Sequence, residues 1–220
     1  MPRAKVFKSA SAFHKRSDGK PSFQHWYRDN QIYFLTARCR GRYPAFATED
    51  AKAIFWQQFD KYAAQYGFEP WVTSLLDNHW HTVGYLTIGK NLAPMMNGIQ
   101  GSVSKLVNDL LEQQVHDGQI PPPPGPPVPA RRSASANRLA PFWYESRAHN
   151  YFDGCLRDEK QGTLTYRYVL TQCRRHGICG NPADYRHTRV HVPLDQAIER
   201  AKEMQAFLYG VPYKRYADRG

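Results

Sequence analysis

The chain has 220 residues, of which 41% are hydrophobic and 14% aromatic, and this composition excludes a disordered protein. A formal net charge of +11 favours a polyanionic partner, either nucleic acid or an anionic membrane surface. No apolar run approaches the roughly 20 residues that span a bilayer, and the basic N-terminus lacks the apolar stretch of a secretory signal. We therefore expect a nucleic-acid partner, no membrane association and a cytoplasmic location.

Residues 1–30 are polar and basic, and they indicate a flexible arm ahead of the folded part. The run 31–37 (QIYFLTA) is aromatic and β-branched, apolar on both faces, and predicts a buried strand. Arg38, Arg40 and Arg42 follow it. Because alternate residues of a strand share a face, these arginines are expected to align as a track for phosphates, although a merely solvated face would have the same pattern.

A helix is predicted to begin after Thr48, whose hydroxyl suits a cap and is followed by two acidic residues, and to end near Gly67. The stretches 68–76 and 79–86 predict two strands. The turn between them is short, so the two strands are expected to pair antiparallel. Asn91 is the predicted cap of a second helix, which runs to about residue 114.

The segment 116–137 contains the run PPPPGPPVP and is predicted to be an insertion that acts as a semi-rigid spacer. The order of strands and helices implies an α+β fold, in which helices pack on a mostly antiparallel sheet. The four cysteines form no C-x-x-C pair and are expected to be reduced thiols in the core. Beyond the insertion, strands are predicted at 142–144 and 151–156, and helices at 160–176 and from about 194 to 208.

The sharpest local feature is His79-Trp80-His81 in the second strand of the predicted pair. Positions i and i+2 of a strand point the same way, so both imidazoles face one side while Trp80 packs on the other. Two imidazoles in this arrangement can share one divalent ion. Two solvated strand histidines are the alternative, since nine histidines in the chain make a chance pair unsurprising.

Tyr168 and Gln172 form a second set, in the helix predicted at 160–176. They are i and i+4 neighbours and therefore share a face of the helix. Tyrosine supplies an oxygen nucleophile, and glutamine supplies a carbonyl oxygen that a hard cation accepts. A packed aromatic beside a surface amide would have the same spacing. Tyr166 competes for the role of nucleophile, but it has no amide four residues further on.

Together these two sets resemble the single-tyrosine HUH transposases, in particular the REP-associated tyrosine transposases. Members of that family carry a strand with His-hydrophobic-His and, further on, a helix with Tyr followed four residues later by Gln or Asn. The segment 168–177 (YVLTQCRRHG) is similar to the family's Y-I-x-x-N-P-V-K-x-G, with Gln172 in the place of Asn and Cys173 in that of Pro. Asp77-Asn78 stands where relatives have a Pro-Asn turn. The resemblance covers roughly residues 31–182.

The resemblance implies that the protein cleaves and rejoins single-stranded DNA at hairpin-associated sites through a 5′-phosphotyrosine. Tyr168 would be the nucleophile. A divalent ion, Mg²⁺ or Mn²⁺ in the family, would activate the scissile phosphate. Its implied ligands in this chain are His79, His81 and Gln172.

The resemblance also implies a ferredoxin-like or RRM-like HUH endonuclease domain, which we place at 31–190, with a C-terminal helix and basic tail at 191–220. A bacterial, nucleoid-associated location is expected. Family relatives occur as monomers and as homodimers, and both states remain open here. The residues expected to contact the DNA backbone are Arg38, Arg40, Arg42, Arg174 and Arg175.

Two other functions remain open from the sequence. A domesticated, non-catalytic protein that binds DNA or RNA on the same fold would keep the basic patches and would not need Tyr168. A zinc hydrolase built on His79 and His81 would need a third protein ligand and an activating carboxylate, for which Asp77 is the nearest acid in the sequence. The resemblance favours the transposase over both.

Overall fold

The computed structural model of the chain describes residues 27–119, 142–144 and 150–208. In these segments the strands are β1 (Gln31–Arg38), β2 (Phe68–Leu75), β3 (His79–Leu86), β4 (Phe152–Cys155) and β5 (Thr188–Val190), and the α-helices are α1 (Glu49–Tyr66), α2 (Leu92–His116), α3 (Glu159–Leu170), α4 (Gln172–Arg175) and α5 (Leu194–Glu203). The strands form one sheet in the order β4-β1-β3-β2-β5, and every neighbouring pair is antiparallel. The predicted α+β fold, with helices on a mostly antiparallel sheet, is confirmed.

Helices cover both faces of the sheet, because successive residues of each strand point to opposite sides. Tyr33 and Leu35 of β1 are fully buried in a core with Phe55 and Phe59 of α1 and with the apolar side of α2. Ile32 points the other way, into a second core formed with α3 and α5. β3 is the middle strand of the sheet. It is hydrogen-bonded to β1 on one edge and to β2 on the other, which fixes the positions of its residues.

The ends of α1 follow from local sequence. The Thr48 hydroxyl accepts a hydrogen bond from the Ala51 N–H at 3.3 Å, and Gly67 takes a left-handed conformation with φ of 71°, as predicted. Asn91 is the N-cap residue of α2, as predicted, but it does not cap the helix through its side chain. Its side chain makes no cap bond to α2 and instead donates to the Tyr66 carbonyl at 3.1 Å, where it satisfies the C-terminus of α1.

The predicted alignment of three arginines on one strand face is wrong beyond the first of them. β1 ends at Arg38, and Arg40–Arg42 form a single 3-10 turn. Gly41 and Arg42 both have positive φ, 61° and 57°, so the alternation of a strand does not extend to them. The Cys39 N–H still bonds in register to the Asn78 carbonyl at 2.7 Å, but the next residue, Arg40, bonds through its N–H to the Phe142 carbonyl at 2.9 Å, and the chain turns away from β3.

Two further predictions are corrected between residues 142 and 177. The segment 142–144 makes one isolated bridge, between Trp143 and Cys39, and the strand predicted there is wrong. Trp143 is instead a buried anchor, whose indole N–H donates to a carbonyl of α2 at 2.9 Å. The helix predicted at 160–176 is divided at Thr171, whose φ of −95° and ψ of 11° separate α3 from α4.

Residues 1–26 of the predicted arm, residues 120–137 of the predicted insertion and residues 209–220 of the predicted C-terminal segment lie outside the described residues, and the domain boundaries stay predictions. The C-terminal helix α5 packs into the same core as α3, through Ala197 and Ile198. The four cysteines are free thiols and three of them are buried, as expected. None of the helices in the described part of the chain combines the length and the apolar character that crossing a bilayer requires.

Candidate functional site

The two histidines of β3 point to the α3 side of the sheet, and the tryptophan between them points to the α1 side. Trp80 is fully buried, with its ring centroid 5.5 Å from that of Phe55 and 5.8 Å from that of Phe59. The rings of His79 and His81 lie 5.0 Å apart and nearly perpendicular to each other. The alternation predicted for this strand is confirmed.

His81 is held among aromatic rings. It stacks on Phe34 with 5.7 Å between ring centroids, and Tyr168 meets it edge-on at 5.3 Å. Burial, and then the neighbouring imidazoles of His79 and His176, lower the pKa of His81 to about 3, so the ring is neutral at pH 7. Its Nδ1 is buried and has no hydrogen-bond partner among the described residues. A neutral imidazole nitrogen in this state is a potential metal ligand.

His79 is half-buried and is also neutral. Burial is the main reason that its pKa falls to about 4, His176 adds to the effect, and a hydrogen bond with Gln172 opposes it. Its Nδ1 lies 2.6 Å from the side-chain oxygen of Asn78, which leaves Nε2 as the nitrogen that can face an ion. The two histidines of β3 therefore offer unprotonated nitrogens on the same side of the sheet.

Tyr168 is brought to these histidines by the last turn of α3. Its side chain is 36% exposed, and its ring lies edge-on to Phe34 at 6.0 Å and to His81 at 5.3 Å. The guanidinium of Arg175 lies over the same ring, 5.0 Å from its centroid. The tyrosine is thus close to the histidine pair, reachable from solvent and next to a positive charge.

Tyr166, the competing tyrosine, faces the opposite side of the helix. It is 2% exposed, and its hydroxyl donates to the Val192 carbonyl at 2.7 Å. Burial raises its pKa to about 12. A buried hydroxyl that is already bonded to the backbone does not reach a substrate, so Tyr168 is the tyrosine of this helix that can act as a nucleophile.

Gln172 lies beyond the break at Thr171 and still shares a side with Tyr168. It is 1% exposed, and its amide N–H donates to the Tyr168 carbonyl at 2.9 Å. That bond fixes the amide orientation, and Gln172 is close enough to His79 to affect the pKa of that ring. The side-chain oxygen of Gln172 is therefore the end of the amide left for an ion. The juxtaposition expected from the i, i+4 spacing is present, and both sets belong to one chain.

Sequence reasoning missed His176 as a member of this site and placed it only in a basic helix end. The exposed His176 ring lies 4.9 Å from that of His79, and both residues line one cavity. Its N–H bonds to the Gln172 carbonyl at 3.0 Å, which continues the helical spacing that begins at Tyr168. The repeat of Tyr168, Gln172 and His176 at intervals of four residues is the signal that could have identified it.

A cavity of about 640 Å³ opens beside these residues. Of the five arginines predicted to contact DNA, Arg38 and Arg42 line it, and Arg175 covers the Tyr168 ring at its border. Arg40 and Arg174 do not line the cavity. No aspartate or glutamate is among its lining residues in the described chain. The cavity is therefore basic, which suits an anionic substrate.

The side chains at the cavity fit a divalent ion only if an amide takes part. In the described segments, no three His, Cys, Asp or Glu side chains are grouped as a metal site, so the two histidines need a different third donor. Gln172 is not itself a lining residue, but it lies next to them and has an amide oxygen, a donor that hard cations accept. Asp77 is engaged elsewhere, since its carboxylate lies 3.0 Å from the Lys52 ammonium. The activating carboxylate of a zinc hydrolase is thus missing from the cavity wall of the described chain.

No protein-family model and no curated protein matches the sequence. Among solved structures, the chain is similar to a REP-associated tyrosine transposase bound to a REP hairpin, with a TM-score of 0.54 and 14% identity over 79% of this chain and 89% of that one. It also matches a protein of Deinococcus radiodurans, provisionally assigned as a transposase, at 13% identity over 70% of this chain and 97% of the other; its TM-score of 0.39 is too low to establish a common fold. The first match confirms the predicted resemblance at the level of the fold: the chain has a transposase-like fold.

Proposed function

We propose that this protein is a DNA strand transferase that cleaves and rejoins single-stranded DNA at hairpin-associated sites, with Tyr168 as the nucleophile. The observation that carries the proposal is the meeting of Tyr168 and Gln172 with the histidine pair, since these sets lie far apart in the sequence. Two solvated histidines and an unrelated amphipathic helix would have no reason to converge. The fold shared with a REP-associated tyrosine transposase supports the same function.

The reaction is a transesterification. The Tyr168 oxygen attacks the phosphorus of a phosphodiester and loses its proton, while the bond from phosphorus to the 3′-oxygen breaks and that oxygen takes up a proton. The products are a 5′-phosphotyrosine and a free 3′-hydroxyl. Because the new bond is also a phosphodiester, the 3′-hydroxyl of a second strand can attack it, which regenerates the tyrosine and joins the strands. No nucleotide cofactor is consumed.

We further propose that His79, His81 and Gln172 hold a Mg²⁺ or Mn²⁺ ion. When bound, such an ion would polarise and orient the scissile phosphate. The neutral state of both imidazoles supports this assignment, as does the Nδ1 of His81, which has no hydrogen-bond partner in the described part of the chain. The Arg175 guanidinium, which lies over the Tyr168 ring, would stabilise the negative charge that develops on the phenolic oxygen and the phosphate.

Substrate binding is assigned to the basic residues. Arg38 and Arg42 in the cavity wall would hold phosphates next to the cleaved bond, and the exposed Arg40 and Arg174 would hold phosphates further away. The hairpin is proposed by analogy, because the similar transposase was solved with a REP hairpin. The site residues all belong to one chain, so a monomer has the complete set, and a homodimer stays a prediction.

The test is the formation of a covalent protein–DNA adduct. Purified protein is incubated with Mn²⁺ and a labelled single strand that carries a hairpin from the DNA flanking the gene, and adducts are separated on a denaturing gel. We expect an adduct with the wild type and with Tyr166→Phe, and none with Tyr168→Phe. An adduct that persists in Tyr168→Phe would identify a different nucleophile.

A binding protein without catalysis is the competing outcome of this experiment. It would bind the hairpin strand with wild-type affinity in both tyrosine variants and would form no adduct at all. Chelation tests the metal separately, because the proposal predicts that EDTA abolishes the adduct. The DNA affinity of a non-catalytic binding protein would be changed neither by EDTA nor by the tyrosine substitutions.

A further inference from the structure

The cavity is larger than a phosphate needs, and several of its lining residues are aromatic. Besides the histidines and Tyr168, it is lined by Phe152, Tyr144 and Tyr151 and by Arg38 and Arg42. Phe152 is 44% exposed and Tyr144 is 38% exposed, although large aromatic side chains are usually covered. Exposed rings interleaved with arginines, without a carboxylate among the lining residues described, are the combination that binds single-stranded nucleic acid.

Phe152 lies close to the nucleophile through one shared neighbour. Its ring centroid is 6.1 Å from that of Phe34, and the Tyr168 centroid is 6.0 Å from the centroid of the same Phe34 ring. Phe152 is held in place because β4 pairs with β1 at Thr36. A planar group that packs on Phe152 would therefore lie close to Tyr168, because Phe34 is a direct neighbour of both rings.

Arg38 is held in one orientation by Tyr144. Its guanidinium lies 3.8 Å from the centre of the Tyr144 ring, and the Tyr144 N–H donates to the Arg38 carbonyl at 2.8 Å. Arg38 is also the residue of β1 that pairs with His79. A fixed, exposed positive charge beside the histidine pair is suited to the phosphate of the nucleotide whose base lies in the cavity.

We propose that this cavity is a nucleobase subsite, in which one unstacked base of a single strand packs on Phe152 while Arg38 holds its phosphate. This inference rests on the proposed function in one respect: the base lies next to the cleaved phosphodiester only if Tyr168 is the nucleophile. Recognition is through the face of the ring, so purines and pyrimidines are both accepted. The subsite requires single-stranded DNA, because a base inside a duplex cannot leave its stack without a cost.

The first experiment measures binding without cleavage. In EDTA, fluorescence anisotropy compares an oligothymidylate of about 12 nucleotides with an abasic deoxyribose-phosphate strand of the same length and charge. We expect Phe152→Ala to weaken binding of the thymidylate about tenfold and to leave binding of the abasic strand unchanged. Phe152→Trp should retain the wild-type affinity. Ile88→Ala removes an equally exposed apolar side chain away from the cavity and is the matched control.

Equal loss of both strands in Phe152→Ala, or equal binding of both strands by the wild type, would overturn the proposal. A second experiment places single abasic nucleotides along the hairpin strand and scores adduct formation. One position beside the 5′-phosphotyrosine should be sensitive in the wild type and should lose its extra effect in Phe152→Ala. Failure of the proposed function would remove the adduct itself, whereas failure of the subsite leaves the adduct and makes every position equivalent.

Discussion

The side chain of Asn78 fixes which nitrogen of His79 carries the proton. The Asn78 amide N–H donates to the Arg42 carbonyl at 3.0 Å, and a carbonyl can only accept, so the amide orientation is set. Its oxygen then lies 2.6 Å from His79 Nδ1 and must accept a hydrogen bond from that nitrogen. In the neutral ring the lone pair is therefore on Nε2. The short turn before β3 thus leaves Nε2 of His79 as the nitrogen available to the proposed metal ion.

Replacement of Asn78 should weaken metal binding without unfolding the protein. In Asn78→Ala the two tautomers of His79 are no longer distinguished, and we expect the affinity for Mn²⁺ to fall about tenfold or more. Asn78→Asp keeps an acceptor for Nδ1–H and should bind Mn²⁺ at least as well as Asn78→Ala. Electron paramagnetic resonance of free Mn²⁺ gives the affinities. Unchanged binding in Asn78→Ala would show that the hydrogen bond has no role in preparing the ligand.

Arg175 and Arg174 are adjacent and exposed, but only Arg175 lies over the Tyr168 ring. In the proposed mechanism its charge stabilises the anion that forms during attack. We expect Arg175→Ala to slow adduct formation by about tenfold to a hundredfold. Arg174→Ala removes the same charge one residue away and should have a much smaller effect. Equal slowing in both variants would mean that Arg175 contributes only general attraction for DNA.

Two glycines of α2 give a matched test of how closely α1 and α2 pack. A Cβ at Gly98 would lie 2.5 Å from the ring of Tyr62, whereas nothing lies within 4 Å of one at Gly101. Gly101→Ala should therefore stabilise the protein by up to about 1 kcal/mol through helix propensity. Gly98→Ala should destabilise it by about 1–3 kcal/mol through overpacking. Urea unfolding measures both, and stabilisation by Gly98→Ala would contradict the packing described.

His187 connects α1 with the segment before β5 through hydrogen bonds that fix the tautomer of its neutral ring. The Trp56 indole N–H donates to His187 Nδ1 at 3.1 Å, so that nitrogen is unprotonated, and Nε2–H donates to the Glu49 carboxylate. Burial lowers the pKa of His187, although Glu49 opposes the shift. Below the ordinary histidine pKa of 6.5, the unfolded chain takes up a proton that the folded protein does not. The contribution of neutral, buried His187 to the free energy of unfolding is therefore complete above pH 6.5 and is lost as the pH falls below it.

The expected result is a difference in pH dependence. Measured in EDTA, the free energy of unfolding of the wild type should fall more between pH 7 and pH 5 than that of His187→Gln. The difference in slope is at most about 1.4 kcal/mol per pH unit, the value for one proton. Because other buried histidines titrate in both proteins, only the difference reports on His187. Parallel pH profiles would contradict the assignment.

Features coded by neighbouring residues were predictable from the sequence. Thr48 and Gly67 mark α1 because a cap hydroxyl and a left-handed glycine act locally. The alternation around His79 and His81 follows from strand geometry alone. The spacing of Tyr168 from Gln172 was also readable, although the helix breaks between them at Thr171, because the break leaves both residues on one side.

Features that depend on contacts between distant segments were not predictable. Beyond Cys39 the chain no longer follows β3: the Arg40 N–H bonds to the Phe142 carbonyl at 2.9 Å, a partner that lies far away in sequence. His176 joins the site because the end of α4 brings its ring to His79 of β3, a contact between segments about 100 residues apart. β5 has three residues, too few for an alternating pattern, and exists because β2 offers it a free edge.

The most direct test of the central claim is the position of the DNA on the protein. Trypsin separates the two helix tyrosines, since cleavage at Arg167 and Arg174 gives the peptide 168–174 with Tyr168, while Tyr166 remains in 161–167. After adduct formation with Mn²⁺ and nuclease trimming, mass spectrometry should find the nucleotide remnant on Tyr168. A remnant on the peptide 161–167 or on any other residue, or no remnant after demonstrated cleavage of the strand, would contradict the account.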